Sequence, residues 1–197
     1  KSITPAEGEH RLRGPVCVAA VSEAAARPAR WLGEQLHAHS ALTCVRTEPK
    51  AAAIVLGLLD ELQTLGLAPP DWSASPAFAT AEGREQGYVL VVTPQRIVLA
   101  AHGEAGLRNA AATVVQLVAP DGSVPCALVE DWPDFRFRVA DWLINVEINR
   151  WGYERGDGRD ALFARMCRKL NLAARHKLNV VWFDGFGWNP DRRAGYA

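Results

Sequence analysis

Methionine occurs once in this sequence and cysteine only four times, and no N-x-S/T sequon is present. No apolar run approaches the ~20 residues a membrane-spanning helix requires, so no membrane partner is expected. Charge of one sign is missing as well: 22 basic side chains meet 22 acidic ones. Such a balance leaves no electrostatic footprint for a phosphate backbone and excludes a strongly basic nucleic-acid binder. H-E-x-x-H, a P-loop, a complete G-x-G-x-x-G and C-x-x-C spacing are all absent. Neither a structural metal nor a nucleotide cofactor is therefore expected. The N-terminus carries no charged n-region followed by an apolar h-region, so an export signal is expected to be absent or already removed.

What remains is ordinary globular composition, 49% hydrophobic over 197 residues, enough to bury a sizeable core. The two ends differ. Residues 1–130 hold 10 basic and 13 acidic side chains, whereas 131–197 hold 12 and 9. Twelve of the sixteen aromatics fall in the last 67 residues, which places a domain boundary near Asp131.

Residues 1–14, polar and carrying Pro5, Gly8 and Gly14, read as a loop or fraying arm. A buried strand is predicted over Pro15–Val21, and a helix over Ser22–His39, with Ser22 as N-cap. Pro28 sits late for a first-turn proline and argues for a helix start near Arg27. Leu42–Thr47 and Ala52–Leu58 read as strands, and 67–86 as a long connection. Gly87–Thr93 and Arg96–Ala101, joined at Pro94-Gln95, form a hairpin. Glu104–Val118 repeats Leu107, Ala111, Val114 and Val118 at helical spacing. Asp121-Gly122 is a turn and Pro125–Glu130 a strand. Strands interleaved with two helices predict a two-layer α/β domain. Cys17 and Cys44 read as strand residues, either disulfide-bonded or, the favoured alternative, two buried thiols. His37 and His39 read as surface residues at a helix end rather than metal ligands.

Beyond Asp131, Phe135–Ile148 reads as a strand with the loop above it. Asp160 caps a helix running to about His176, with Leu162, Met166, Leu170 and Ala173 on one face. Lys177–Phe183 is a second strand. Strand, helix and strand make one β–α–β unit, whose strands run parallel.

Three stretches resemble the glycoside hydrolase family 20 proteins, the β-N-acetylhexosaminidases. They are Gly87-Tyr-Val-Leu-Val-Val-Thr-Pro-Gln-Arg-Ile-Val-Leu-Ala-Ala with the following Glu104-Ala-Gly-Leu and Thr113-Val-Val-Gln-Leu; Val129-Glu-Asp-Trp-Pro-Asp-Phe-Arg-Phe-Arg138; and His176-Lys-Leu-Asn-Val-Val-Trp ending in Gly187-Trp188. The resemblance implies a small non-catalytic zincin-like α/β domain over 1–130, lacking the zinc motif. It further implies the beginning of a (β/α)₈ barrel over 131–197. Such a barrel typically needs ~250 residues, so the catalytic domain would be truncated here. The implied activity is removal of terminal N-acetylhexosamine by substrate assistance, in which the sugar's own acetamido oxygen attacks the anomeric carbon. The family's catalytic Asp-Glu pair ends the fourth barrel strand, so this chain alone is expected to hold no catalytic residue and to be inactive. The implied partner is an N-acetylhexosamine-containing glycan, in a secreted or periplasmic setting.

Arg138 matches, by this resemblance, an arginine that opens the first barrel strand and hydrogen-bonds sugar hydroxyls with its fork of donors. A salt bridge to Asp134 or Asp141 is the alternative. Departures from the family pattern are Val139 in place of a glycine, Leu143 in place of an aspartate, no second arginine, and a shortened stretch before Gly187-Trp188. Barrel active sites lie at the C-terminal ends of strands, which singles out Glu147, Asn149 and Trp151 after the first strand and Asp184 and Trp188 after the second. Glu147, Asp184 and Trp188 are candidate sugar contacts beside Arg138. Each carboxylate has the alternative of capping a helix or pairing with Arg150 or Arg155. Trp151, Trp182 and Trp188 could each stack on a sugar face, Trp182 equally well serving as core. A non-catalytic carbohydrate-binding homologue is the second reading. The unfinished barrel also exposes apolar edges that invite self-association.

Overall fold

The computed structural model describes residues 1–142 and 159–183. The chain divides into two compact units, Lys1–Arg136 and Phe137–Ala197.

The first unit is built on one mixed seven-stranded sheet. Its strands are β1 (Ser2–Arg11), β2 (Val16–Ala20), β3 (Cys44–Arg46), β4 (Ile54–Leu58), β5 (Tyr88–Val92), β6 (Ile97–Ala101) and β7 (Ser123–Asp131). They lie in the order β1-β7-β5-β6-β4-β2-β3. β1, β7, β5 and β6 pair antiparallel, whereas β6, β4, β2 and β3 pair parallel. The helices are α1 (Glu23–Ser40), α2 (Leu59–Thr64), α3 (Ala81–Gln86) and α4 (Glu104–Leu117).

The period of two along each strand sorts the core into two layers. Ile54, Leu56, Leu90, Ile97 and Leu99 face Leu32 and Leu36 of α1 and Leu107, Ala111 and Val114 of α4. Val55, Val89, Val98 and Ala100 face Leu59 and Leu62 of α2 with Ala77 and Phe78. The sheet is thus covered on both sides, by two long helices on one and by α2 with short 3₁₀ turns on the other. A two-layer expectation missed that second cover. At six residues α2 is too short to show a periodicity, and it starts where the Leu58 N–H donates to the Glu61 carboxylate at 3.2 Å.

Three further expectations need correction. Residues 2–11 form a strand, not a loop: β1 pairs with β7 from Ser2↔Glu130 to Arg11↔Ser123, with an irregularity between Pro5 and Glu9. All its side chains but His10 are exposed, so no apolar alternation marks it. The first helix starts at Glu23, not near Arg27, and Pro28 lies buried inside it. Proline there leaves the Ala24 carbonyl without its helical donor. Burial of Ala25, Pro28, Leu32 and Leu36 against the sheet offsets that loss. The connection 67–86 carries proline-initiated 3₁₀ turns at Pro70–Ala74 and Pro76–Phe78, then α3, whose N-cap Thr80 accepts from the Gly83 N–H at 3.0 Å.

Cys17 and Cys44 are free and half-buried, neither bonded nor fully enclosed. Cys44 packs against Gly33 on the α1 side of the sheet. Strand alternation puts Cys17 on the opposite face, beside Ala19. Side chains on opposite faces of a sheet cannot be bridged.

In the second unit, β8 (Val139–Trp142) and β9 (Val180–Phe183) pair parallel, from Val139↔Val180 to Trp142↔Phe183, with α5 (Arg159–Arg175) between them in sequence. The expected strand–helix–strand order is present, and Asp160 lies within the first helical turn rather than at its cap. Of the expected apolar face, Ala173 is buried, Met166 half-buried and Leu170 exposed, while the side chain of Leu162 lies outside the described ones. Phe137, Val139, Phe163 and Leu172 are exposed too, and the buried apolar residues described in this unit are Ala140 and Ala173.

Three outcomes are expected. A Cβ at Gly106 would stand 2.3 Å from the Gly87 carbonyl oxygen and 2.7 Å from Ala101 Cβ. Gly106→Ala should therefore lower the urea-unfolding free energy by about 1–3 kcal/mol, as overpacking does; an unchanged midpoint would show that α4 yields freely. Alkylation without reductant should label Cys17 and Cys44 as free thiols, and a disulfide-linked peptide pair would contradict the two-face placement. Burial pushes the Cys44 thiol up, so less of it is thiolate at a given pH. Its alkylation rate should go on rising above about pH 8.5, where an ordinary thiol is half ionised.

Candidate functional site

The sequence-derived candidates converge on the β8–β9 pair, and of those four residues Arg138 is the one described. It precedes β8 directly and is half-buried. Its Nε donates to the Lys177 carbonyl at 2.7 Å. Its backbone N–H donates to Asn179 Oδ1 at 2.8 Å, and its carbonyl accepts from the Asn179 and Val180 N–H groups at 3.0 and 3.2 Å. The expected alternative was an ion pair with Asp134 or Asp141; Asp134 pairs with Lys1. The side chain of Asp141 lies outside the described ones.

Strand direction decides what this placement means. β8 and β9 run parallel, so both enter at the Arg138–Asn179 end and both leave at the Trp142–Phe183 end. Arg138 stands at the entry, and its guanidinium reaches back toward Lys177, which precedes β9. Four strand residues at about 3.3 Å each separate that point from the exit. Glu147, Asn149 and Trp151 follow β8 in sequence, and Asp184 and Trp188 follow β9; all five lie outside the described residues. Trp182 belongs to β9 by its backbone. Arg138 thus stands at the opening of β8, the place where the resemblance expects its arginine.

Two residues that sequence reasoning did not single out now matter. Lys177 adopts a left-handed backbone, φ 58°. Its N–H donates to Ala174 O at 2.9 Å and the next N–H, of Leu178, to Ala173 O at 3.0 Å. That is a Schellman cap on α5, normally closed by glycine. Lysine at this place gives no signal of it, which is why the second strand was expected to begin at Lys177 and not at Val180. Asn179 was quoted within the family-like motif, but a side chain accepting from the opposite strand is not legible in one sequence.

The first unit contains a cleft of about 510 Å³ between α1 and the edge strand β3. Its wall is mostly small and apolar, with Ala26, Ala29, Gly33 and Cys44, and Arg30, Arg46, Glu34 and His37 stand on it. His37 and His39 are exposed in the last turn of α1, as expected. Among the described residues no group of three or more His, Cys, Asp or Glu side chains is placed to hold a metal ion.

Comparison with known proteins bears on both units. The family model for glycosyl hydrolase family 20, domain 2, matches residues 1–132. No curated protein matches the sequence. Among solved structures, a family 20 exo-β-N-acetylglucosaminidase from Vibrio harveyi in complex with N-acetylglucosamine superposes with a TM-score of 0.64 at 19% identity, over 91% of this chain and 24% of that one. The Streptomyces plicatus N-acetyl-β-hexosaminidase in complex with Thio-NAglucal gives 0.63 at 18%, over 91% and 32%. The β-N-acetylhexosaminidase from Bacteroides fragilis gives 0.61 at 16%, over 91% and 30%. The chain thus spans between a quarter and a third of the length of these enzymes, and at such identities the likeness is one of fold.

Proposed function

The chain belongs to glycosyl hydrolase family 20, and from that premise we propose that it carries the small non-catalytic domain, zincin-like in fold, and the opening β–α–β of a catalytic (β/α)₈ barrel. The parent enzyme would remove terminal N-acetylhexosamine from glycans. One observation carries this reading: the match to domain 2 ends at residue 132, and the next elements of the chain are a parallel strand–helix–strand. The burial in the second unit supports it. Among the described residues, the four-residue strand pair and one helix bury Ala140 and Ala173 and leave Phe163, Leu170 and Leu172 exposed, short of the enclosed apolar core a free-standing domain needs. Further barrel strands and helices would supply it.

On this reading the chemistry is substrate-assisted. The acetamido oxygen of the sugar attacks its own anomeric carbon, an aspartate steadies the acetamido group, and a glutamate with a raised pKa protonates the leaving oxygen. Both carboxylates belong, by the family resemblance, to the end of a fourth strand, so the 197 residues alone should not cleave. Glu147, Asp184 and Trp188 follow the exit ends of β8 and β9 and are the proposed sugar contacts, carboxylates to hydroxyls and the indole to the sugar face. Arg138, which opens β8, is proposed as a further contact, its fork of donors suiting neighbouring sugar hydroxyls.

A second reading, a non-catalytic homologue, is favoured by one specific feature of the sequence: Val139 and Leu143 stand where the family has glycine and aspartate, and no second arginine follows.

The test is enzymatic. The purified 197-residue chain should not hydrolyse a chromogenic N-acetylglucosaminide, whereas the protein encoded by the complete reading frame should; turnover by the fragment would show the chemistry to be misplaced. An inert complete protein that still binds chitooligosaccharide would instead establish the second reading. Light scattering on the fragment should reveal concentration-dependent association, and Phe163→Ser with Leu170→Ser should reduce it. A strictly monomeric fragment would show that the exposed stripe has found cover.

A further inference from the structure

We propose that the cleft between α1 and β3 is a docking groove for an extended, acidic segment of a partner protein, which adds to the open edge of β3 as an eighth strand. This surface lies wholly in the first unit, so its use is independent of the sugar chemistry proposed for the second.

A sheet has two edges, and here they are unlike. At one, β1 is long, polar and irregular between Pro5 and Glu9, features that discourage pairing with a further strand. At the other, residues 43–47 read Thr-Cys-Val-Arg-Thr, with no proline, no carboxylate and β-branched residues at alternate positions. β3 pairs with β2 in unbroken register, from Val16↔Cys44 to Val18↔Arg46. The Val16 N–H donates to the Thr43 carbonyl at 2.7 Å, and the Thr47 N–H donates to the Val18 carbonyl at 3.1 Å. Alternate residues of a parallel strand bond to the same neighbour, so Thr43, Val45 and Thr47 turn their backbone groups to β2. Cys44 and Arg46 turn theirs the other way, where no further strand lies among the described residues. Two N–H groups and two carbonyls are thus left at the edge for an incoming strand.

The same two residues line the cleft. Cys44 packs against Gly33 of α1, and Arg46, two positions on, shares its face of the sheet. A strand added beside β3 would carry every second side chain over that face, beside about 510 Å³ of space walled by Ala26, Ala29 and Gly33. The edge is short, so backbone bonds alone would hold a peptide weakly, and apolar filling of the cleft adds what they lack. Charge names the occupant. Arg30 and Arg46 both stand on the cleft, and neither takes part in an ion pair among the described residues. Glu34 is the carboxylate on the wall, so the cations prevail. Carboxylates on either side of an apolar residue would meet the guanidiniums while that residue enters the cleft. A second copy of this chain is the poorer occupant. Pairing β3 with β3 would gather two copies of Arg30 and Arg46 on one seam, and like charges there oppose pairing.

The acetylated, amidated peptide Glu-Thr-Val-Thr-Glu is the probe, added to the ¹⁵N-labelled 197-residue chain. Its length matches residues 43–47, and its Glu and Val side chains share one face. At ~5 mM it should slow hydrogen exchange of the Cys44 and Arg46 amides about threefold or more, and leave the Val45 amide, already turned to β2, unchanged. It should also slow alkylation of Cys44 and not that of Cys17, which lies on the opposite face. The counterpart Lys-Thr-Val-Thr-Lys should do neither. Arg30→Glu with Arg46→Glu should exchange the preferences, so that the lysine peptide protects and the glutamate peptide does not. Arg30→Glu alone, at an exposed helix position, should weaken the glutamate peptide and serves as the second variant. Unchanged amide signals from residues 88–101 certify folding in each. A glutamate peptide that protects neither amide overturns the groove, as does equal protection by the lysine peptide. Octanoate that slows Cys44 alkylation, where the peptide protects no amide, would make the cleft a small-anion site and overturn strand addition. Protection of the Cys44 and Arg46 amides that rises with chain concentration in the absence of peptide would make a second copy the occupant and overturn the partner-protein assignment.

Discussion

A sheet with apolar side chains on both faces has to be covered twice, and that requirement organises the first unit. β4 and β6 are its centre: Ile54–Gly57 and all of Ile97–Ala101 are buried. One cover is α1 with α4, the other α2 with the 3₁₀ turns. The long helices sit close. At Gly106 α4 comes against the Gly87 carbonyl, and at Gly87 the chain comes against the Ala77 and Gly83 carbonyls, so neither position has room for a side chain. Polar groups trapped by that approach are partnered within the fold. Asn109 Nδ2 donates to the Gln86 carbonyl at 2.8 Å, and the buried Tyr88 hydroxyl lies 2.6 Å from Thr113 Oγ1 and donates to Asp131 at 3.1 Å. Burial and the Asp131 carboxylate push the Tyr88 phenol strongly up, so it stays protonated and keeps that donor. Satisfied groups of this kind tie the helix to the sheet where apolar packing alone would leave its rotation loose.

The same requirement explains which elements were legible. The hairpin β5–β6 and helix α4 were evident because their side chains are buried in the pattern their secondary structure imposes: period two in the strands, and Leu107, Ala111 and Val114 on one helical stripe. β1 was not legible because it does no such burying. It is a strand by virtue of the ladder it makes with β7, and a polar edge strand looks like a loop until its partner is known. Pro28 misled for a related reason. Local chemistry opposes helix there, and the sheet beneath α1 overrides it. Proline in 67–86 was read as chain-breaking, yet at Pro70 and Pro76 it starts 3₁₀ turns, a use its fixed φ suits.

Legibility of the site follows a different logic. That β8 and β9 should run parallel was readable from strand, helix and strand in succession, since the crossover leaves little choice. The bonds of Arg138 were not. That it opens the first strand was expected from the resemblance, but its partners, the Lys177 carbonyl and the Asn179 side chain, lie far away in sequence. Likewise Lys177 became informative only through its φ angle, a property that residue identity does not carry. Asn179 sat within a recognised motif, but what it bonds lies across a helix in sequence. Sequence names the chemical groups; long-range geometry assigns their work.

Fold and function also tolerate divergence differently. At 16–19% identity the superposition on family 20 enzymes still covers 91% of the chain. A fold asks only that buried positions stay apolar and roughly matched in volume, and very many sequences meet that demand. Sugar recognition asks for particular donors and acceptors at particular places, and a missing one is not replaced by a neighbour of similar size. Val139 and Leu143 show the difference. Val139 pairs with Val180 in the β8–β9 ladder, and Leu143, outside the described residues, is an aliphatic residue that cannot take up the hydrogen bonds of an aspartate. A chain can therefore keep every structural mark of its family while its substrate site is rebuilt. In a family of this kind the groups that meet the substrate, rather than the degree of overall likeness, decide which sugar is bound and whether it is cut.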